Sequence, residues 1–332
     1  MPAKHLRALV LAAGRGERLR PLTTSLPKPL LPVAGRPLAA WTLARLRAAG
    51  VEAAALNLHH LGERIRATFG ASFRGMPLVY SDERELQGTG GALPPLADFL
   101  SAADLVLVVN GDSLCRWPFE AMLAAHRRSR PAATLLVQRT VDPRAFGGGV
   151  ALEGDRVVAF RKGDLTHAAS GRHVVFAGAQ ILEPELLERL PEGPSDLITA
   201  LYEPLLAAGA PLQAVETARP WHDLGTPRRY LEGVLDWTFR GSTKAFRAVN
   251  GSEIGPQARL RRTVVEAGGT VGARARLSEC LVLPGGTVAE GVKLRRSIVG
   301  PGARVAPGAD RDGWLFTRAA PDGETQATPI AG

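Results

Sequence analysis

Cysteine is nearly absent from this 332-residue chain: Cys115 and Cys280 are its only two, far apart and without the spacing of a metal site. A disulfide framework and a zinc module are thereby excluded, and ordinary core thiols in a reducing compartment are expected. Aromatic residues make up 5%, too few for the stacking platforms of a single-strand binder. The net charge of +9 comes from arginines scattered along the chain without a basic tract, so no nucleic-acid partner is expected. Uninterrupted apolar runs of the roughly 18 residues a membrane span requires are also missing. The opening MPAKHLRALVLAAG is basic and then apolar, but it runs into Gly-Arg-Gly-Glu-Arg rather than a cleavage site. That pattern reads as a buried strand feeding a loop, and the expected location is cytoplasmic.

What is present is a 45% hydrophobic chain with two kinds of order. Over residues 1–240, short β-like runs alternate with helical spacing. Apolar runs at 6–11, 53–58, 77–80, 104–109 and 132–138 read as strands, and 37–49, 62–69 and 119–128 as helices. Such alternation predicts an α/β domain with a Rossmann-like mixed, mainly parallel sheet flanked by helices. Segments 150–152, 157–160 and 174–182 read as antiparallel additions, and 184–190 and 195–208 as helical.

From Ile254 the pattern changes. IGPQARLRRTVVEAGGT, VGARARLSECLVLPGGT and VAEGVKLRRSIVGPGAR repeat with a period of 17 residues. Aliphatic side chains recur at spacings of 6, 5 and 6, from Ile254 and Leu260 through Val265, Val271, Leu277, Val282, Val288, Leu294 and Val299 to Val305. Neither a helix nor a hairpin has that period. A triangular coil does, with one inward side chain per edge, and about three coils must stack to bury it. The spacing resembles the hexapeptide-repeat left-handed β-helix. Three coils are expected over 253–308, after a connector at 238–252 and before an irregular tail at 309–332.

The first strand is followed by LAAGRGERLRPLTTSLPKPL. A Gly-rich turn there lets backbone N–H groups approach an anion, and Arg15, Arg18 and Lys28 add fixed positive charge. Leu19 stands where the dinucleotide fingerprint needs a third glycine, and the Gly-Lys-Ser/Thr of a P-loop is missing. What remains, Gly-x-Gly-x-Arg-Leu-x-Pro-Leu-Thr and then Pro27-Lys28-Pro29, resembles the sugar-1-phosphate nucleotidyltransferases, in particular those of the mannose-1-phosphate guanylyltransferase type. The resemblance implies a nucleotide loop at Leu11, Ala13, Gly14, Arg15 and Gly16.

Two aspartates stand out for a metal. Asp112 follows the apolar run 104–109, and ligands of open α/β sheets lie at the carboxyl ends of strands. Asp223 lies in Trp-His-Asp-Leu-Gly-Thr-Pro ahead of a helical stretch. In the resembled family an aspartate from each segment binds one Mg²⁺. Within YSDERELQGTGGAL, Glu83 takes the base-facing position, with Gly88 and Thr89 beside it. A carboxylate matches the two N–H donors of guanine, which favours GTP. Lys162 matches a family lysine on the sugar phosphate, whereas Arg161 replaces the glutamate that meets the sugar hydroxyls. Gly147, Gly148, Gly149 and Gly178 stand where close approach to the sugar is expected, and a structural role suits them equally. His59 and His60 read as strand-end residues.

The implied reaction joins a nucleoside triphosphate, GTP first, to a sugar 1-phosphate, mannose 1-phosphate first; uridylyl or thymidylyl transfer to another sugar phosphate is the alternative. Arg18, Lys28, Asp112, Asp223 and Lys162 are the expected catalytic set, with Mg²⁺ as cofactor. Two other classes fit less well. A β-helix acyltransferase typically needs a histidine on its coils, and all seven histidines precede residue 223. A non-catalytic regulatory subunit would have a damaged loop, and here the loop is intact. The coils read as a subunit-contact or regulatory appendage that makes a homo-oligomer.

Overall fold

The computed structural model describes residues 5–146, 148–162, 172–318 and 323–330, without the side chain of Lys162. The chain divides into two compact units, Met1–Gly14 with Ala39–Trp221, and Arg15–Leu38 with His222–Gly332. Each is described in turn.

The first unit is a ten-stranded mixed sheet with helices packed on it. Its strand order is Gly148–Glu153, Arg156–Lys162, Leu212–Thr217, Ala133–Gln138, Arg172–Leu182, Leu105–Asn110, Leu6–Leu11, Ala53–Leu58, Met76–Asp82, Ser72–Phe73. The strands nearest the loop are parallel and, Asn57 apart, apolar inside, as expected of strands covered on both faces. Their register sets Leu11 level with Asn57 on one side and Asn110 on the other. The carboxyl ends of three central strands therefore finish together, and the loops that leave them are neighbours.

Arg172–Leu182 runs antiparallel to both Leu105–Asn110 and Ala133–Gln138. At its start it also pairs with Gly148–Glu153, Val150 opposite Val174, so this end of the sheet curls back on itself. Its inner face holds Leu135, Val137, Val150, Leu152, Val157 and Val174, all buried. The helix Phe119–Ser129 covers the sheet through Phe119, Met122, Leu123 and Ala125. Segment 195–208 is less regular than expected. It opens with a wide π-type turn, Ile198–Tyr202, before the short helix Glu203–Ala207.

The second unit joins Arg15–Leu38 to everything after Trp221. Pro32–Val33 and Arg36–Pro37 form a hairpin whose two-residue turn, Ala34-Gly35, has φ of 51° and 89°. Both values are positive, as the tight primed hairpin turn requires. The helix Pro227–Phe239 starts with proline in its first turn, and the Thr226 hydroxyl accepts from the Arg229 N–H, a cap with the residues the position favours.

Beyond the helix the chain winds as a parallel β-helix. One sheet stacks Phe246–Ala248, Thr263–Val265, Leu281–Val282, Ile298–Val299 and Trp314–Arg318. A second stacks Glu253–Ile254, Thr270–Val271, Thr287–Val288 and Arg304–Val305, and a third Arg259–Arg261, Arg276–Ser278, Lys293–Arg295 and Asp310–Asp312. Ile254 sits on Val271 and Leu260 on Leu277, each one repeat apart. The interior is the expected aliphatic column, Val265, Val271, Leu277, Val282, Val288, Leu294, Val299 and Val305.

The stack is longer than the repeat pattern indicates. It begins at Phe246, inside the expected connector, and the expected irregular tail contains Asp310–Asp312, Trp314–Arg318 and Thr325–Pro329, the last antiparallel to its neighbour. The physical reason lies at the ends of the stack. A terminal coil has one neighbour and buries less, so Arg311 occupies the place of Leu294 and the aliphatic signal lapses.

Candidate functional site

In the first unit, the site grows from the carboxyl ends of the central strands. The Gly111 N–H donates to the Leu11 carbonyl at 2.9 Å, and a Cβ on Gly111 would lie 2.7 Å from that oxygen. Only glycine lets the two strand ends close this tightly. Asp112 follows, half-buried, with one carboxylate oxygen accepting from the Ser113 hydroxyl at 3.3 Å.

Asn57, level with Leu11, had no role in the sequence reading. Its carbonyl oxygen accepts from the Ala12 N–H, and its amide donates to Glu83, both at 2.7 Å. The second Glu83 oxygen accepts from the Gln87 N–H at 3.0 Å. Glu83 is buried, and both of its carboxylate oxygens are engaged. Through Asn57 it braces the loop at Ala12 to the loop that begins at Gln87. A visible signal for Asn57 existed: it is a lone amide inside the apolar run AAALNL. His59 accords with the strand-end reading and bonds the Glu83 backbone carbonyl through Nδ1 at 2.9 Å.

Gly88 and Thr89 rest on the segment around Ser195. A Cβ on Gly88, whose φ is 73°, would meet the Ser195 carbonyl oxygen at 2.4 Å, and the Thr89 hydroxyl accepts from the Leu197 N–H at 3.0 Å. On the curled end of the sheet, Gly149 pairs with Arg161 and Gly148 with Lys162 in one antiparallel ladder. The backbone thus brings the expected sugar-side residues together. Gly147 lies outside the described residues. Gly178, with φ of 86°, sits at a bulge where a Cβ would come 3.0 Å from the Asn110 side chain, so packing itself calls for glycine there.

In the second unit, Gly16 adopts φ of 62° and leads into the single turn Glu17–Leu19, locked by the Thr23 hydroxyl donating to the Gly16 carbonyl at 2.7 Å. Arg15 is exposed, 3.8 Å from Glu17. Asp223 stands among cations. Arg229 donates to it at 2.7 Å, and the Lys28 ammonium, buried, lies at 3.9 Å. A Cβ on Gly225 would be 2.9 Å from Arg18 Nη2 and 3.0 and 3.1 Å from the Asp223 oxygens. Arg18 and Asp223 therefore converge over Gly225. Three cations around one carboxylate leave a net positive site, suited to phosphate oxygens. Arg229 was missed in the sequence because it is one of two adjacent arginines in its helix, whose directions are not legible there.

Asp112 and Asp223 are hard oxygen donors of the type Mg²⁺ takes together with substrate phosphates. Among the described residues, no group of three or more His, Cys, Asp or Glu side chains is gathered for a metal. No described helix is long and apolar enough to cross a membrane.

Residues 7–238 match the family model described as Nucleotidyl transferase. The chain belongs to the nucleotidyl transferase family. Mannose-1-phosphate guanylyltransferase of Mycobacterium tuberculosis is 36% identical over 239 residues, covering 71% of this chain and 66% of that protein. Mannose-1-phosphate guanylyltransferase catalytic subunit beta of Drosophila pseudoobscura pseudoobscura is 30% identical over 231 residues, 69% and 61% of the two chains. UTP–glucose-1-phosphate uridylyltransferase of Synechocystis is 28% identical over 243 residues, 69% and 62%. This chain thus spans somewhat under two thirds of these relatives' lengths.

Among solved structures, HddC from Yersinia pseudotuberculosis complexed with GMP-PN superposes with a TM-score of 0.58 at 20% identity, covering 70% of this chain and 99% of that one. A putative glucose-1-phosphate thymidylyltransferase from Bacillus anthracis gives 0.61 at 19%, covering 69% and 94%. At those identities the likeness establishes the fold.

Proposed function

We propose that the chain transfers a nucleotidyl group from a nucleoside triphosphate to a sugar 1-phosphate, with GTP and mannose 1-phosphate as the favoured pair. The observation that carries this reading is the group formed by Lys28, Arg18 and Arg229 around Asp223, within a chain of the nucleotidyl transferase family. In the reaction, a phosphate oxygen of the sugar 1-phosphate attacks the α-phosphorus of the triphosphate. The bond from that phosphorus to the bridging oxygen breaks, and pyrophosphate leaves with the electron pair. The protein supplies no nucleophile, so catalysis is positioning and charge neutralisation.

Arg18 holds the departing pyrophosphate, Lys28 the α-phosphate or the sugar phosphate, and Lys162 the attacking phosphate. Leu11, Ala13, Gly14 and Gly16 line the triphosphate, with Arg161 and Gly178 on the sugar side. Asp112 and Asp223 would hold Mg²⁺, which when bound neutralises charge on the phosphate oxygens. A cytoplasmic setting and a homo-oligomer belong to the same reading.

Relatives named mannose-1-phosphate guanylyltransferase support GTP with mannose 1-phosphate. A specific observation keeps uridylyl transfer as the second reading: both Glu83 oxygens already accept bonds from the protein, which weakens a guanine-reading role. The test is pyrophosphate release from GTP, UTP, dTTP, ATP and CTP against a panel of sugar 1-phosphates. GTP with mannose 1-phosphate should give the highest kcat/KM; no release from any pair would support a regulatory subunit. Asp112→Asn and Lys28→Ala should abolish turnover with the fold intact, and an active Asp112→Asn protein would sink the metal assignment.

A further inference from the structure

The repeat places three different residues at one corner of successive coils: Glu266, Leu283 and Gly300, 17 positions apart. The corners share their backbone geometry, since Gly269, Gly286 and Ala303 each donate an N–H to the carbonyl of the corner residue three positions back. Leu283 is buried in the ordinary way of a coil residue. Glu266 is just as buried, 2% exposed. A buried carboxylate in an aliphatic position costs stability unless it is bonded.

Its partner is the hairpin turn before the first helix of the chain. The Gly35 N–H donates to Glu266 at 3.2 Å, and the Ala34 N–H bonds it too. Two successive N–H groups of a positive-φ turn form a cradle for an anion. Gly35 is pressed onto the first coil, where a Cβ would meet the Val249 methyls at 3.2 and 3.3 Å. One corner further along, Gly300 faces Leu22, whose Cδ2 would be 3.5 Å from a Cβ there. The corner column is thus a seat for Arg15–Leu38.

We propose that Glu266 is a positioning residue for the transfer reaction, holding the Ala34–Gly35 turn and through it the segment that presents Arg18 and Lys28. The inference rests on the function proposed above. The lever is short. Lys28–Leu30 is a single turn leading into Pro32, and the Pro32 carbonyl accepts from the buried Tyr230 hydroxyl at 2.6 Å. Glu266 from one side and Tyr230 from the other clamp the hairpin. Burial raises the Glu266 carboxyl above its ordinary value, while the Gly35 and Ala34 N–H groups and the nearby Arg247 pull the other way. The β-helix then helps to position the segment and is not merely an appendage.

The experiment uses the full chain and the variants Glu266→Leu and Glu266→Gln. Three quantities are read: thermal midpoint, steady-state kcat and KM with GTP and mannose 1-phosphate, and hydrogen exchange in peptides covering residues 28–38. Glu266→Leu places on its coil the residue that Leu283 supplies on the next, so the midpoint should hold while kcat/KM falls at least tenfold and exchange at 28–38 quickens. Glu266→Gln keeps one carbonyl acceptor and should fall between the two. Unchanged kcat/KM and unchanged exchange in folded Glu266→Leu would overturn the proposal. If that variant fails to fold, Glu266→Gln decides by the same two readouts. A wild-type chain inactive on every substrate pair refutes the proposed function, whereas exchange at 28–38 still reports whether Glu266 holds the turn.

Discussion

Asn57 donates its side-chain amide to Glu83 at 2.7 Å while its own carbonyl oxygen takes the Ala12 N–H at the same distance. Because Glu83 also accepts from the Gln87 N–H, one amide and one carboxylate tie together the two loops that the sequence assigns to the nucleotide. Replacing Asn57 by leucine keeps the volume and removes every bond. Each orphaned buried group costs about 1–3 kcal/mol. Urea unfolding of Asn57→Leu should therefore show a loss of at least about 2 kcal/mol, with KM for the nucleotide raised. A variant as stable as the parent would mean that the brace carries no load.

Gly225 separates Arg18 from Asp223, and a Cβ there would press on the far ends of both side chains. Those ends can move, so the fold should tolerate alanine while the site does not. Gly225→Ala is expected to leave the thermal midpoint within a few degrees and to lower kcat/KM tenfold or more. An undiminished kcat/KM would show that Arg18 and Asp223 need not converge for turnover.

His222 lies 2.9 Å from Asp236, yet burial outweighs that carboxylate and holds the imidazole below its ordinary value. A folded-state value below the unfolded one means that the neutral ring is favoured. The stabilisation is present above about pH 6.5, the ordinary histidine value, and is lost as pH falls through the lowered folded value. Urea unfolding from pH 8 to 5 should show wild type losing stability relative to His222→Gln on the acid side, by at most about 1.4 kcal/mol per pH unit. Parallel curves for the two proteins would contradict this.

Cys115 and Cys280 are both buried, and burial pushes each thiol up to about 12. The thiolate is the reactive form. Native protein at pH 8 should thus resist a thiol reagent such as iodoacetamide, and both cysteines should label after denaturation. Rapid labelling of either in the native protein would show that its side chain reaches solvent.

Assembly through the coils needs a different test from truncation. Removing the chain after Arg240 deletes Glu266 along with any subunit contact, so a lost activity there would report on the hairpin as well as on oligomers. Light scattering of the full chain separates the two.

Much of the molecule was legible because its signals are local and periodic. The apolar runs at Leu6–Leu11, Ala53–Leu58 and Leu105–Asn110 require burial on both faces, and an in-register parallel stack follows from aliphatic residues at 6, 5 and 6. The loop after the first strand carries its glycines and cations within a short stretch, so the expectation of an anionic ligand there is local as well. Chain direction alone puts Asp112 at a strand end.

Other features depend on which distant surfaces meet. Asn57 is a single polar letter in an apolar strand, and only the register sets it level with Leu11. The ends of the β-helix were hidden because terminal coils bury less and so need fewer aliphatic residues, as Arg311 in the place of Leu294 illustrates. Glu266 differs from Leu283 by one letter in a repeat. Its meaning lies in two backbone N–H groups more than two hundred residues away, and backbone groups leave no mark in a sequence. Composition and period determined the elements. Tertiary packing alone decided that the segment with Arg18 and Lys28 rests on the coils, because that depends on long-range hydrogen bonds to a turn whose residues carry no distinctive side chains.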